Sequence, residues 1–132
     1  KKYPNKNIWL GGKSMGGRVS TIVSRTIDVN GVIAFGYPFH PINKIDKLRL
    51  ESLQLSGPPI LIIQGTRDKF GSIYEVKQYK IHKNNTIFWI EDGDHSYKTL
   101  KKSKFSSEES LAKAYNQASL FIKNNKTEFI IS

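Results

Sequence analysis

A chain of 132 residues is long enough for one domain with a real core. It has no cysteine, which excludes a disulfide framework and thiolate chemistry and makes the cytoplasm the default compartment. The formal charge of +10 points at first to nucleic acid, but seventeen lysines stand against four arginines, and phosphate and base recognition recruits arginine as well.

The excess therefore reads as compositional drift, since lysine, isoleucine and asparagine are all abundant. The sequence also lacks the interleaved aromatics of single-strand binders, so nucleic acid is not an expected partner. No apolar run approaches a membrane span, and the N-terminus shows no signal-peptide pattern, so no membrane is expected either.

Lys1 to Lys6 is polar and leads into a short apolar strand, Asn7 to Gly11. Gly12-Lys13-Ser14-Met15-Gly16 then fits the G-x-S-x-G pattern of a nucleophile elbow. In such a turn a strand feeds a helix so tightly that the serine at its tip takes strained dihedrals. Gly12 and Gly16 are expected to be small so that the two arms can close. The helix that follows places Met15, Val19, Ile22 and Val23 on one face, with Arg18 and Arg25 flanking it toward solvent. Asp28 to Asn30 turns the chain into a second strand, Gly31 to Gly36, apolar throughout as a strand covered on both faces should be.

Tyr37-Pro38-Phe39-His40-Pro41 interrupts regular structure, and Tyr37, Phe39 and His40 are expected to line a substrate pocket beyond the strand. Ile42 to Ser56 reads as a connection with a short helical turn, ended by Gly57-Pro58-Pro59. Ile60 to Gln64 is the third strand, and Gly65 to Asp68 leaves it as a polar turn. Ser72 and Glu75 form a capping box ahead of a short helix with Ile73 and Val76 inward. Thr86 to Ile90 is the fourth strand, followed by the loop Glu91 to Ser96. Ser106 and Glu109 make a second capping box. Leu111, Ala114, Tyr115, Ala118, Phe121 and Ile122 then form an apolar stripe closed by Asn124 and Asn125. Glu128 to Ile131 is a short apolar tail. The element order predicts an α/β fold with a parallel sheet of about four strands and flanking helices.

Chemistry-bearing residues collect just past the strand ends, where sites form in open α/β sheets. Ser14 follows the first strand, Asp68 the third and His95 the fourth. Serine needs a neighbouring base to become a nucleophile. His95 can take its proton, and Asp68 can hold the other ring nitrogen and stabilise the imidazolium. The Met15 backbone N–H is aimed to receive a developing oxyanion. Asp92 and Asp94 share the histidine's own loop and are expected to hold its shape through side-chain-to-backbone bonds. His82 lies in a lysine-rich polar stretch and reads as solvated. No metal site is expected, because Asp92, Asp94 and His95 lack a second contributor at ligand spacing. Gly11-Gly12-Lys13-Ser14 does not fit a phosphate-binding loop, because Ile8, Trp9 and Leu10 replace its flexible part. No cofactor is expected.

Four blocks now carry a resemblance. They are Gly11-Gly12-Lys13-Ser14-Met15-Gly16-Gly17-Arg18, Gly36 to Pro41, Gln64-Gly65-Thr66-Arg67-Asp68-Lys69-Phe70-Gly71, and Asp92-Gly93-Asp94-His95-Ser96. Together they resemble the α/β-hydrolase superfamily. More closely, they resemble the small dienelactone-hydrolase-like proteins and the hydrolase-like domain of the testis-expressed and KAT8-regulatory-subunit relatives. The resemblance implies a serine hydrolase of a small acyl substrate, an ester or lactone, with Ser14 as nucleophile, Asp68 as triad acid and His95 as base. It also implies that residues 1–132 are the C-terminal part of such a domain, from the elbow strand to the last helix. The early strands and the loop with a second oxyanion donor, worth about 3 kcal/mol, are not among them. The Ile8 to Gly11 strand would then be an apolar sheet edge, open to pairing with a second copy or a partner chain that completes the sheet. The alternative reading is a non-catalytic module of the same fold, an interaction domain or a truncated remnant.

Overall fold

Two of the apolar runs have no polar side to show to water, and both become inner strands. In the computed structural model, which describes residues 7–125, the elements are β1 (Trp9–Lys13), α1 (Met15–Val23), β2 (Gly31–Phe35), α2 (Glu51–Gln54), β3 (Ile60–Gly65), α3 (Ile73–Val76), β4 (Thr86–Ile90) and α4 (Ser107–Asn124). The four strands form one sheet in the order β1-β2-β3-β4, with every pair parallel. The predicted fold class is the one observed. Residues 1–6 and 126–132, which include the polar start and the Glu128 to Ile131 tail, lie outside the described residues.

The two-residue period of the strands sorts the core into two layers. Val32, Ala34, Ile60 and Ile62 face one way with Leu53 of α2 and Val76 of α3, and Leu10, Ile87 and Trp89 join them at the margins. Ile33, Leu61, Ile63 and Ile90 face the other way, against Ala114 and Ala118 of α4. Every residue of β3 is buried. The layer over α1 to α3 and the layer under α4 therefore each remove one face of the sheet from water, which is the main stabilising term of the fold.

Two helices seat differently from their apolar patterns. On α1, Met15, Val19, Ile22 and Val23 point outward, at 37 to 48% exposure, while Gly17, Thr21 and Ser24 lie against the sheet. Space explains this. The elbow drops α1 so close to the sheet that a Cβ at Gly17 would stand 2.9 Å from the Gly12 carbonyl oxygen and 3.0 Å from the Ala34 Cβ. Only a strip of small residues fits there, and its hydroxyls are satisfied locally. Thr21 Oγ1 reaches the Arg18 carbonyl and Ser52 Oγ, both at 2.7 Å, and Ser24 Oγ donates to the Thr21 carbonyl. Arg18 and Arg25 also turn from solvent toward a cavity beside α2. On α4 the line of close contact is Ser110, Ala114 and Ala118, with Leu111 and Tyr115 exposed. Tyr115 still meets Phe35 edge-on, with ring centroids 6.2 Å apart.

Both capping boxes form. At α4 the Glu109 N–H donates to Ser106 Oγ at 3.1 Å, and the Ser106 N–H to Glu109 Oε1 at 3.0 Å. At α3 the cap does a second job. Glu75 accepts the Ser72 N–H at 3.0 Å, and both its carboxylate oxygens lie 3.2 Å from Nε2 of buried His40. His40 Nδ1 lies 2.7 Å from the Pro41 carbonyl. Both ring nitrogens thus face acceptors. Burial works to raise the Glu75 carboxyl, but the Ser72 donors and His40 outweigh it and hold it below its ordinary 4.5.

Two outcomes follow from this packing. Gly17→Ala should cost roughly 1–3 kcal/mol in urea unfolding by forcing α1 off the sheet. Gly16→Ala, whose added Cβ meets nothing within 4 Å, should be neutral or stabilising by up to about 1 kcal/mol. Equal losses at both positions would contradict the close contact at Gly17. For Glu75, a depressed carboxyl stabilises the fold above its ordinary value, and this is lost as pH falls through the folded one. The stability gap between wild type and Glu75→Gln should therefore be constant above pH 4.5 and close as the pH drops below it. A gap that persists unchanged to pH 3, on urea midpoints across a pH series, would show that the charge is not involved.

Candidate active site

The turn after β1 brings a serine into an uncommon conformation. Ser14 has φ 53° and ψ −119°, a region that non-glycine residues rarely adopt. Its N–H is held by the Phe35 carbonyl at 2.8 Å, and its own carbonyl accepts the Arg18 N–H at 3.1 Å. The turn closes because Gly12 has no side chain. A Cβ there would sit 2.6 Å from the Gly16 oxygen and 2.7 Å from the Gly17 nitrogen. At Gly16, expected to share this role, an added Cβ would meet nothing within 4 Å, and Gly17 takes its place. The second motif glycine therefore spares no steric clash in this chain.

The loop after β3 supplies a carboxylate. Gly65 to Asp68 makes a turn closed by the Asp68 N–H on the Gly65 carbonyl, and Asp68 is fully buried. Its Oδ1 accepts the Phe70 N–H at 2.8 Å, and its Oδ2 lies 2.8 Å from His95 Nδ1. An ionised carboxylate only accepts, so Nδ1 is the donor of this pair, and in the neutral ring Nε2 is then left with a lone pair. That lone pair faces Ser14 Oγ at 2.9 Å. The structure thus brings Ser14, Asp68 and His95 together in one hydrogen-bonded line across three loops. His95 keeps a quarter of its side chain exposed, and Phe70 covers part of it with a ring 4.5 Å away. Room for the imidazole comes from Gly36, at φ 69°, where a Cβ would lie 3.2 Å from ring atoms of His95.

The loop that carries His95 is pinned by residues the sequence did not single out. Arg67 donates from Nε to the Asp92 carbonyl at 2.8 Å and from Nη2 to the Lys98 carbonyl at 3.1 Å. The Tyr97 hydroxyl donates to the Ile63 carbonyl at 2.6 Å, and burial, with the Asp68 charge behind it, pushes that phenol well up. Asp94 accepts the Ser96 and Lys98 N–H groups, the side-chain-to-backbone bonding expected of it. Asp92 acts instead through its backbone, whose N–H donates to Thr66 Oγ1 and whose φ is 59°. Gln64, fully buried at the end of β3, ties two loops together. It accepts the Tyr37 N–H and donates to the Tyr37 and Gly71 carbonyls. A lone amide closing the apolar run Ile60 to Ile63 was the available signal. His82 is half-buried, and its Nδ1 accepts the Asn84 N–H.

Of the expected pocket wall, Phe39 and His40 turn inward, and Tyr37, though buried as well, lines the cavity beside α2. Tyr37 and Phe39 are fully buried and packed edge-on at 4.8 Å, within the core layer above the sheet, and His40 is buried against Glu75. Pro38 and Pro41 break regular structure as expected, but the buried Gln64 amide pulls the loop down, so its aromatics fill the core. The Met15 N–H, at the first position of α1, meets no acceptor among the described residues. It lies at the positive end of the helix, next to Ser14. Among the described residues no three acidic, histidine or cysteine side chains are grouped to hold a metal ion, and no helix is long and apolar enough to cross a membrane.

Comparison with known proteins bears on the fold. The chain resembles an α/β serine hydrolase homologue from Coxiella burnetii at 20% identity and a TM-score of 0.58, over 92% of this chain and 50% of that one. It resembles the propionate-bound esterase 2 of Thermogutta terrifontis at 14% identity and 0.63, over 95% and 58%. It resembles an esterase of Pyrococcus furiosus at 18% identity and 0.59, over 93% and 55%. The chain therefore spans about half the length of the solved structures it matches, and at these identities the likeness is one of fold. A search of curated proteins finds no match. The model of the alpha/beta hydrolase domain, however, matches residues 1–123, and the chain belongs to that family.

Proposed function

We propose that the chain carries the nucleophile, acid and base of a serine hydrolase acting on small carboxylic esters or lactones. The observation that supports this most is the continuous line from Ser14 Oγ to His95 Nε2 at 2.9 Å and from His95 Nδ1 to Asp68 Oδ2 at 2.8 Å. In this reading Ser14 Oγ attacks the acyl carbon as its proton passes to His95 Nε2. The Met15 N–H receives the carbonyl oxygen as it becomes an oxyanion. His95 then returns the proton to the leaving alkoxide oxygen. Water, activated by the same nitrogen, releases the acid and restores Ser14. Asp68 holds the proton on Nδ1 throughout. A short acyl group suits the reading, in line with the propionate bound to the Thermogutta esterase. Within the family, the four motif blocks favour the dienelactone-hydrolase-like and testis-expressed-type members, and the absence of cysteine favours the cytoplasm.

We further propose that the sheet is completed on the outer side of β1. Among the described residues that strand is one edge of the sheet, and its neighbour α1 presents Met15, Val19 and Val23 to solvent. A sheet edge beside an apolar helix face favours association, either with a second copy across a two-fold axis or with a separate chain carrying further strands. Such strands would also be placed to bring a second oxyanion donor to the elbow.

Two experiments address these readings. A fluorophosphonate should label wild-type protein on Ser14 and leave Ser14→Ala unlabelled, while Asp68→Asn should slow hydrolysis of p-nitrophenyl butyrate by roughly 10³- to 10⁴-fold. Labelling that survives Ser14→Ala unchanged would remove the assignment. Light scattering together with an intact mass should report a species larger than one chain. A stable monomer of the mass expected for 132 residues would end the proposal of association.

A further inference from the structure

Arginine is scarce in this chain, with four residues against seventeen lysines. Three of the four, Arg18, Arg25 and Arg49, line one cavity of about 330 Å³ between α1 and the segment leading through α2. The fourth, Arg67, is the clamp on the loop of His95. Where lysine is the common cation, three arginines lining one cavity concentrate the residue type that offers planar, forked donors.

The walls combine charged, polar and apolar side chains. Arg25 is fixed in place, with Nε on Ser24 Oγ at 3.1 Å, Nη1 on the Leu55 carbonyl at 3.0 Å and Nη2 on the Pro58 carbonyl. Burial lowers its pKa, as expected of a partly desolvated cation offered only neutral acceptors. Arg18 and Arg49 also line the cavity, and Arg18 Nη1 lies 3.8 Å from Met15 Sδ at its margin. Glu51 is its one acidic lining residue, and it makes no ion pair with any of the three. Among the described residues the ion pairs are His40–Glu75 and His95–Asp68, so the three positive charges meet no carboxylate. The floor is polar. There the Tyr37 hydroxyl donates to the Arg49 carbonyl at 2.7 Å, and Ser52 pairs with Thr21. The flanks are apolar, with Ile22, Leu48 and Leu55 each about half exposed.

We propose that this cavity binds a small organic anion with a carboxylate or phosphate monoester head and a short apolar body. A guanidinium matches two oxygens of either head at once, with charge-assisted bonds strengthened where water is thinned out. The volume is that of a small-molecule pocket, and the exposed Ile22, Leu48 and Leu55 would be covered by the apolar body. None of Ser14, Asp68 and His95 lines the cavity, so the ligand is separate from any acyl substrate. The two places are nonetheless joined through α1, because the Arg18 N–H is bonded to the Ser14 carbonyl. The inference does not rest on Ser14 being a nucleophile.

Calorimetric titration of the protein with phenyl phosphate, hexanoate and inorganic phosphate tests it. Phenyl phosphate or hexanoate should bind saturably at one site and more tightly than inorganic phosphate, and the stronger of the two identifies the head group. Arg18→Gln and Arg49→Gln, singly and together, should weaken that binding, the double variant by roughly tenfold or more, with urea midpoints near that of wild type. Ser14→Ala should bind as wild type does. No saturable binding of either organic anion to the wild type would overturn the proposal. So would equal affinity for inorganic phosphate, or undiminished binding by a folded double variant.

Discussion

The approach of α1 to the sheet is the constraint from which the site's geometry follows. Ser14 can hold φ 53° only while Gly12 and Gly17 let the two arms of the turn touch, and only that backbone brings its hydroxyl within 2.9 Å of His95. Unfavourable dihedrals at one residue cost of order 1–3 kcal/mol, and the surrounding packing has to supply it. Here the supply comes from two inner strands buried on both faces and from the hydrogen bond that fixes the Ser14 nitrogen to Phe35. The same closeness decides which face of α1 is hidden. It admits glycine, threonine and serine against the sheet and leaves the apolar residues outside.

Most of the fold was legible in the sequence. Four apolar runs, each bounded by glycine, proline or polar turns, became the four strands, and two Ser-x-x-Glu patterns became capping boxes. These signals are local, and local physics sets them. The seating of α1 and α4 was not legible, because periodicity reports where the apolar residues are and not how far the helix stands from the sheet. Where that distance is short, small residues replace large ones as the buried line, as Ser110, Ala114 and Ala118 do. The burial of Tyr37, Phe39 and His40 was hidden for a related reason. It depends on Gln64 and Glu75, two polar partners 27 and 35 residues away, and no pattern within the loop announces them.

At the site, the sequence order of Ser14, Asp68 and His95 past the ends of the first, third and fourth strands was readable, as was their convergence in space once a parallel sheet was assumed. Their support was not. Arg67 and Tyr97 act on backbone carbonyls and so leave no complementary residue type for a sequence to show. Gly36 is similar, since its value lies in the space it leaves to the His95 ring. Features of this kind are visible only when the chain is folded, although Arg67 makes the acid and base loops one connected unit.

The strand order β1-β2-β3-β4 has a consequence in time. Each strand pairs with the one made just before it, so the sheet can grow in the direction of synthesis without waiting for distant partners. Along that path the serine is shaped first, when β2 closes on the elbow. The carboxylate arrives with the end of β3. The imidazole arrives last, past β4, and its loop is locked only when Arg67 and Tyr97 find their carbonyls. A nascent chain therefore carries an unactivated hydroxyl from the closing of the elbow until β4 has been laid down, and the three groups meet only after that strand.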